Sequence, residues 1–317
     1  MPQTAWILTD GKKGTENQCI GLASILGLQP IIKKITPKFP WSFLPPQFWI
    51  RPLGGITGLE GDQEWPDILI AASRSAAAVA KEIRNLSHGK TFTIFLQNPY
   101  ISPKNFDAVI APYHDRLKGS NVISTLFPFH CVTEKALDTA RKEYENRLGN
   151  LSSTKVAVLL GGKTRHYQMD PETMETYGMQ LRNMAKRQPM AYMVTASRRT
   201  DEKCFDTFKH GLGSTPRFIW DGTGDNPYMG FLAYADIIIV TADSVSMISE
   251  AVSTGKPVYL LELKGHSKKL GAFHKALLEK GCIRFFRGKL EKWTYSIEKN
   301  TSSIIEQLEA LGLNRTN

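Results

Sequence analysis

Four short segments of this 317-residue chain combine glycine, hydroxyl and charged residues in patterns able to hold an anion or move a proton. In Leu160-Gly161-Gly162-Lys163-Thr164-Arg165-His166-Tyr167, two glycines at a strand end precede three cationic or imidazole side chains. Backbone N–H groups in such a turn, backed by Lys163, Thr164 and Arg165, suit a diphosphate. Thr195-Ala196-Ser197-Arg198-Arg199-Thr200 adds the loop hydroxyls of Ser197 and Thr200 and two guanidiniums, whose planar fork matches phosphate oxygens. Both loops follow apolar strands, so a parallel arrangement brings them to one spot. Thr241–Ala251 places Asp243, Ser244 and Ser246 at a helix start and Glu250 nearly two turns later. Hydroxyls and free N–H groups there reach an anion, and a carboxylate accepts both hydroxyls of a ribose. The plainer alternative has Asp243 and Ser244 only capping the helix, with Glu250 exposed. Gly224-Asp225-Asn226-Pro227-Tyr228 opens a further helix, and Asn226 is polar enough to line the same place.

The first half carries Thr9-Asp10-Gly11-Lys12-Lys13-Gly14-Thr15, two glycines bracketing two lysines after the first strand. Asp10 is the candidate general base, and the alternative is a solvated turn before a helix. His114-Asp115, after Pro112 at a strand end, is the reserve acid/base candidate, although side chains adjacent in sequence usually diverge. The Walker pattern GxxxxGK[ST] is absent, as are the hydrolase elbow GxSxG and the metalloprotease HExxH. Cys19, Cys131, Cys204 and Cys282 lie far apart with no CxxC, against both a disulfide frame and a zinc site. A reducing, cytoplasmic compartment follows as the expectation, with no metal and no cofactor.

These loops need strands and helices to hold them. Apolar runs rich in β-branched residues alternate with stretches of helical period, which predicts an α/β fold of parallel sheets covered by helices. Strands are expected at Ala5–Thr9, Pro30–Ile35, Asp67–Ala72, Thr91–Leu96, Phe106–Ala111 and Val122–Leu126, with helices near Thr15–Leu26, Ser75–Leu86 and Thr133–Leu148. The alternation restarts after Gly149–Thr154 with strands Lys155–Leu160, Ala191–Thr195, Arg217–Trp220, Asp236–Thr241 and Val258–Leu263. Helices open at Asp170-Pro171 and at Ser244, the latter closing at Gly255-Lys256-Pro257. Two Rossmann-like domains facing a cleft are predicted, 1–150 and 151–317. A last helix, Ser302–Leu311, is placed back on the first domain. Pro37–Pro52, with five prolines and five aromatics, reads as an ordered loop packing over the sheet or as a membrane or partner surface.

Composition narrows the classes further. Hydrophobic residues make up 42% and charged residues 22%, enough to fill a core, and no apolar run is long enough to span a bilayer. The start, MPQTAWILTDGKKG, reads as a first strand rather than a secretory signal. Forty basic against thirty acidic residues give a net charge of +10, a field that favours anionic partners. With no basic block and no finger or RNP motif, nucleic acid is not the expected partner.

WILTDGKKGTENQ, APYHD, LLGGKTRHY, TASRRT, GDNPY, VTADSVSMISEA and TGKPVYLLEL, in order over roughly residues 5–290, resemble the mitochondrial-fission "elongated mitochondria" family of plants and its bacterial relatives. The second half is also similar to the donor half of GT-B glycosyltransferases, above all the enzyme that adds N-acetylglucosamine to the peptidoglycan lipid precursor. Ser249-Glu250 followed by Gly255-Lys256-Pro257 matches its S-E-x-x-x-x-G-x-P helix, which implies Glu250 as ribose ligand and Ser244 and Ser246 near the phosphates. DGKKG stands where that enzyme carries a GGTGGH-type loop. The resemblance implies a metal-independent, GT-B-type transferase taking a nucleotide-sugar donor, with a lipid-linked or other envelope acceptor and an anionic membrane surface as further partners. Two other functions stay open: a non-catalytic fission adaptor that recruits a dynamin-like protein, as the plant members are described, and an epimerase acting on the same donors.

Overall fold

The computed structural model describes residues 3–59, 64–127, 129–151, 154–215, 217–220, 222–296 and 301–314. The chain forms two compact units, Met1–Cys131 with Lys299–Asn317, and Val132–Glu298. The first contains β1 (Ala5–Thr9), α1 (Lys13–Ile25), β2 (Ile31–Lys34), β3 (Thr36–Pro37), β4 (Ile56–Thr57), β5 (Ile68–Ala72), α2 (Arg74–Leu86), β6 (Phe92–Leu96), β7 (Ala108–Pro112) and β8 (Val122–Thr125). Six of these strands form a parallel sheet in the order β2-β1-β5-β6-β7-β8, and β3 pairs antiparallel with β4. β1, β5 and β7 are buried at every position, as a parallel sheet covered on both faces requires. The order reverses between β1 and β5.

The second unit contains α3 (Glu134–Leu148), β9 (Thr154–Leu160), β10 (Tyr167–Gln168), α4 (Pro171–Ala185), β11 (Met190–Ala196), α5 (Glu202–Leu212), β12 (Arg217–Ile219), α6 (Tyr228–Tyr234), β13 (Ile237–Thr241), α7 (Val245–Ser253), β14 (Val258–Leu261), β15 (Lys264–Gly265), α8 (Lys268–Glu279) and β16 (Ile283–Phe285). Its parallel sheet runs β12-β11-β9-β13-β14-β16, which is the dinucleotide-fold order 3-2-1-4-5-6 when these strands are counted along the chain. The order reverses between β9 and β13. Side chains at the strand ends cap the helices that follow: Asp170 accepts from Thr173, Asp201 from Cys204, Ser244 from Met247 and Ser267 from Leu270.

The last helix, α9 (Thr301–Ala310), buries Ile304 and Leu308 in the core of the first unit beside Ile7, Ile68 and Ile94, as the sequence predicts. The boundary differs from the expected break at residue 150. Helix α3 belongs to the second unit because it packs on α6, with the Tyr144 ring against Gly230 and the Tyr234 hydroxyl donating to the Arg141 carbonyl at 2.8 Å. Helices α5 and α8 and strand β16 had no expected counterpart. The segment 37–52 divides its aromatics: Trp49 packs on the core while Phe39 and Phe43 stand 80% exposed. Among the described residues no helix is long and apolar enough to cross a membrane.

Helices α4 and α5 approach closely enough to need glycine on both sides. A Cβ on Gly178 would lie 2.4 Å from the Phe208 carbonyl oxygen, and one on Gly211 would lie 2.3 Å from that of Glu175. Alanine improves helix propensity by up to about 1 kcal/mol, yet overpacking against backbone costs about 1–3 kcal/mol. Gly178→Ala is therefore expected to lower the melting temperature, and a neutral or raised melt would refute this account of the helix pair.

Candidate functional site

At the reversal point of the second sheet, the loops leaving β9, β11 and β13 meet around one carboxylate. The side chain of Asp243 has no exposed surface. It accepts from the Thr241 hydroxyl at 2.6 Å and the Gly162 N–H at 3.1 Å, and pairs with the Arg199 guanidinium at 2.9 Å. Thr241 in turn accepts from the Gly161 N–H at 2.7 Å. From the neighbouring strand end, the Ser197 hydroxyl donates to the Gly161 carbonyl at 2.8 Å, and the Thr200 hydroxyl donates to the same oxygen. Three consecutive carboxyl ends of the sheet are thus joined, the β9 end through the backbone of Gly161 and Gly162 and the other two through side chains.

This changes the roles expected for several residues. A Cβ on Gly161 would sit 2.2 Å from the Asp243 carboxylate, and one on Gly162 would sit 2.0 Å from the Arg199 carbonyl oxygen. The glycine pair is required for loops to touch. Its N–H groups are used within the protein rather than aimed at a ligand. The Ser197 hydroxyl and Arg199 are committed to the same network. Lys163, Arg165 and Arg198 differ: they are exposed and have no acidic partner among the described residues. The Thr164 hydroxyl accepts from the N–H groups of His166 and Tyr167, closing the turn that carries Lys163 and Arg165.

Helix α7 starts beside Asp243. Ser244 caps it, while the N–H groups of the first turn, Val245 and Ser246 among them, have no acceptor within the helix. Ser246 is half-buried. One and a half turns on, Glu250 accepts a short hydrogen bond from the Tyr228 hydroxyl at the start of α6. Burial raises the Glu250 pKa, opposed by that hydrogen bond, and burial raises the Tyr228 hydroxyl well above its usual range. The Asn226 side chain accepts from the Tyr228 N–H at 3.0 Å, which sets the helix start. Tyr228 stands in the GDNPY motif, but its pairing with Glu250 depends on two elements separated along the chain.

Two further residues give no sequence signal. Lys256 donates to the carbonyls of Leu232 and Ala233 at 2.6 and 2.7 Å, capping the carboxyl end of α6, and burial pushes it down to about 8. His274 of α8 is buried behind the loop after β13 and interacts with the Ala242 backbone, while its Nε2 has no partner. Burial pushes its pKa down to about 4. The β9 loop is also tied to the β14 loop, because β10 and β15 pair antiparallel.

The first-half candidates lie in the first unit. Asp10 bonds the Lys12 ammonium at 2.5 Å, and Lys13 pairs with the buried Glu16 at 2.8 Å. The Lys13 hydrogen bond holds the Glu16 pKa below its usual value. The two lysines of DGKKG are therefore compensated locally. His114 lies in a short turn, Tyr113–Asp115, and its side chain lies outside the described residues. Lys12, Ser73, Arg74, Gln97 and Tyr100 help line a cavity of about 470 Å³ at this sheet's own reversal point.

Two parallel α/β units with a polar constellation at a strand-order reversal define a protein of the GT-B-like class. Solved structures agree over nearly the whole chain: a UDP-GlcNAc 2-epimerase from Neisseria meningitidis bound to UDP-GlcNAc (TM-score 0.54, 12% identity, 97% of this chain and 100% of that one) and the glycotransferase of kitacinnamycin (TM-score 0.51, 11% identity, 98% and 94%). The family described as mitochondrial fission ELM1 matches residues 13–310, and the chain belongs to that family. The mitochondrial fission protein ELM1 of Arabidopsis thaliana is 28% identical over 92% of this chain and 87% of its own. The uncharacterized protein RP120 of Rickettsia prowazekii is 25% identical over 98% and 99%.

Two measurements test this geometry. Asp243→Ala leaves the Gly162 N–H and the Thr241 hydroxyl without their acceptor and is expected to cost about 2–4 kcal/mol in denaturant unfolding. A cost below about 0.5 kcal/mol would remove Asp243 from the centre of the site. For His274, the unfolded imidazole protonates near 6.5 and the folded one only near 4. The unfolded state binds the extra proton in that window, so stability falls as pH drops through it, by about 3 kcal/mol in all. His274→Phe is expected to flatten that slope, and an unchanged slope would refute the assignment.

Proposed function

We propose that the second unit binds the diphosphate of a nucleotide-sugar, and that the protein is a GT-B-type glycosyltransferase-like enzyme moving the sugar to a cell-envelope acceptor. The observation that carries this reading is the convergence of three strand-end loops on Asp243 beside exposed cations that form no ion pair among the described residues. In this reading Asp243 is a scaffold rather than a ligand contact. It fixes Gly161, Gly162 and Arg199, so that Lys163, Arg165 and Arg198 present charge at the carboxyl end of the sheet. The first turn of α7, with Ser244 and Ser246, supplies N–H groups and the positive end of the helix dipole. Together they stabilise the departing nucleotide diphosphate by preorganised charge. Glu250, oriented by Tyr228, accepts the ribose hydroxyls, and Asn226 lies on the loop before α6. Asp10 is assigned as general base and His114 as its reserve. The bound UDP-GlcNAc in a neighbour of the same fold supports the choice of donor class.

Family membership favours one alternative, a non-catalytic adaptor in membrane fission that engages a dynamin-like protein. Thermal-shift and calorimetric titration with UDP-, GDP-, ADP- and CMP-linked sugars separates the two. One nucleotide class is expected to stabilise the protein, with Arg198→Ala weakening binding about tenfold or more and Glu250→Gln reducing the preference for ribose over deoxyribose nucleotides. Loss of response to every nucleotide, with tight binding to a dynamin-like partner, would establish the adaptor. Product analysis with the preferred donor then distinguishes transfer from epimerisation.

A further inference from the structure

The loop between β3 and β4 is braced from inside and apolar outside. The Lys38 N–H donates to the Gly55 carbonyl at 2.8 Å, next to the β3–β4 pair, and closes the base. Across the loop, the indole N–H of Trp41 donates to the Ile50 carbonyl at 3.1 Å, and that of Trp49 to the Leu44 carbonyl at 3.0 Å. The Trp41 ring fills the space over Gly55, and the Leu53 N–H is held by Glu82 of α2. Both tryptophans therefore direct their polar atoms into the loop and stiffen it.

What the braced loop presents outward is a set of large hydrocarbon side chains. Phe39 and Phe43 are 80% exposed with ring centroids 6.3 Å apart, while Ile50 and Phe48 are 77% and 62% exposed. Scattered exposed apolar residues are ordinary, but four on one fixed loop call for a partner. The charge pattern says which. Between Glu16 and Glu60 the chain has no acidic side chain, while Lys33, Lys34, Lys38 and Arg51 are basic, and Lys38 and Arg51 flank the apolar tip on the loop itself. An apolar tip flanked by Lys38 and Arg51, on a loop that itself carries no carboxylate, fits the boundary between acyl chains and anionic headgroups.

We propose that this loop is a membrane-docking element that inserts Phe39, Phe43, Phe48 and Ile50 into the interface of a bilayer carrying anionic lipids. It is independent of the donor-site reading, since an enzyme or an adaptor would use it alike.

The test is sedimentation of the full chain with vesicles of phosphatidylcholine alone and of phosphatidylcholine rich in phosphatidylglycerol. Binding to the anionic vesicles is expected, and it should weaken as salt rises. The double variant Phe39→Ser/Phe43→Ser should partition about 100-fold less. Lys38→Glu/Arg51→Glu should keep the apolar tip yet lose the preference for anionic lipid. Both variants replace exposed side chains, and unchanged melting curves confirm that they fold. Failure of the wild-type protein to bind anionic vesicles, or equal binding by the phenylalanine variant, overturns the proposal. So does a lipid-free dimer that the phenylalanine variant dissociates, because a second copy would then cover this face.

Discussion

A carboxylate removed from water must find donors inside the protein, and Asp243 finds three kinds: a hydroxyl, a backbone N–H and a guanidinium. The rest of the second-unit site follows from that requirement. Because the carboxylate occupies the space beside Gly161, no side chain fits there. Because Arg199 turns inward to meet it, the Arg199 backbone crosses so near Gly162 that a second glycine is needed. The ion pair is half open to solvent on the arginine side, so its value lies less in Coulomb energy than in fixing where three loops stand. A site for a charged ligand needs this rigidity, since cations held in place need not reorganise when the ligand arrives.

The two sheets illustrate how one topological feature, a reversal of strand order, serves different electrostatic ends. Each has one reversal of strand order, and each puts a glycine-containing, lysine-containing loop and a helix start there. In the first unit the ammonium groups of Lys12 and Lys13 are matched by Asp10 and Glu16, with Lys34 3.7 Å from Glu16 as well. In the second unit the carboxylate between the loops, Asp243, is buried and already paired, and among the described residues Lys163, Arg165 and Arg198 are exposed and form no ion pair. The two loops therefore differ in how their cations are matched, although they look alike as strings of letters.

That contrast also marks how far the sequence could be read. The parallel strands were legible because full burial on both faces leaves unbroken apolar runs such as Ile237–Thr241, and Asp170-Pro171 and Ser244 announced their helices through capping chemistry. Helices α5 and α8 were less visible. Their exposed faces are rich in Lys, Asp and Glu, and α5 carries a glycine that contacts between helices require. The paired strands β10 and β15 are two residues each, too short for any periodicity to register. Residue types picked out loops that the structure brings together, but not which groups face outward. The partners of Gly161 and Gly162 lie about eighty positions away in Thr241 and Asp243, and spacing within one motif carries no information about a contact between two. His274 and Lys256 were missed for the same reason, being defined by what surrounds them rather than by their neighbours in sequence.

Glu250 bears most directly on the choice between an enzyme and a scaffold. Burial raises its pKa, and the Tyr228 hydroxyl is the one side chain that donates to it among the described residues. A carboxylate offers about four acceptor positions, so one donor leaves most of its capacity unused in a place where water is already restricted. A scaffold with no ligand at this point has no evident need for the acid, whose partial burial carries a desolvation cost. Under the proposed reading the cost has a purpose: two sugar hydroxyls complete the set of donors when the nucleotide binds. The same pair also gives the pocket a means of selection, because a nucleotide lacking the 2′-hydroxyl would offer one donor where a ribose offers two.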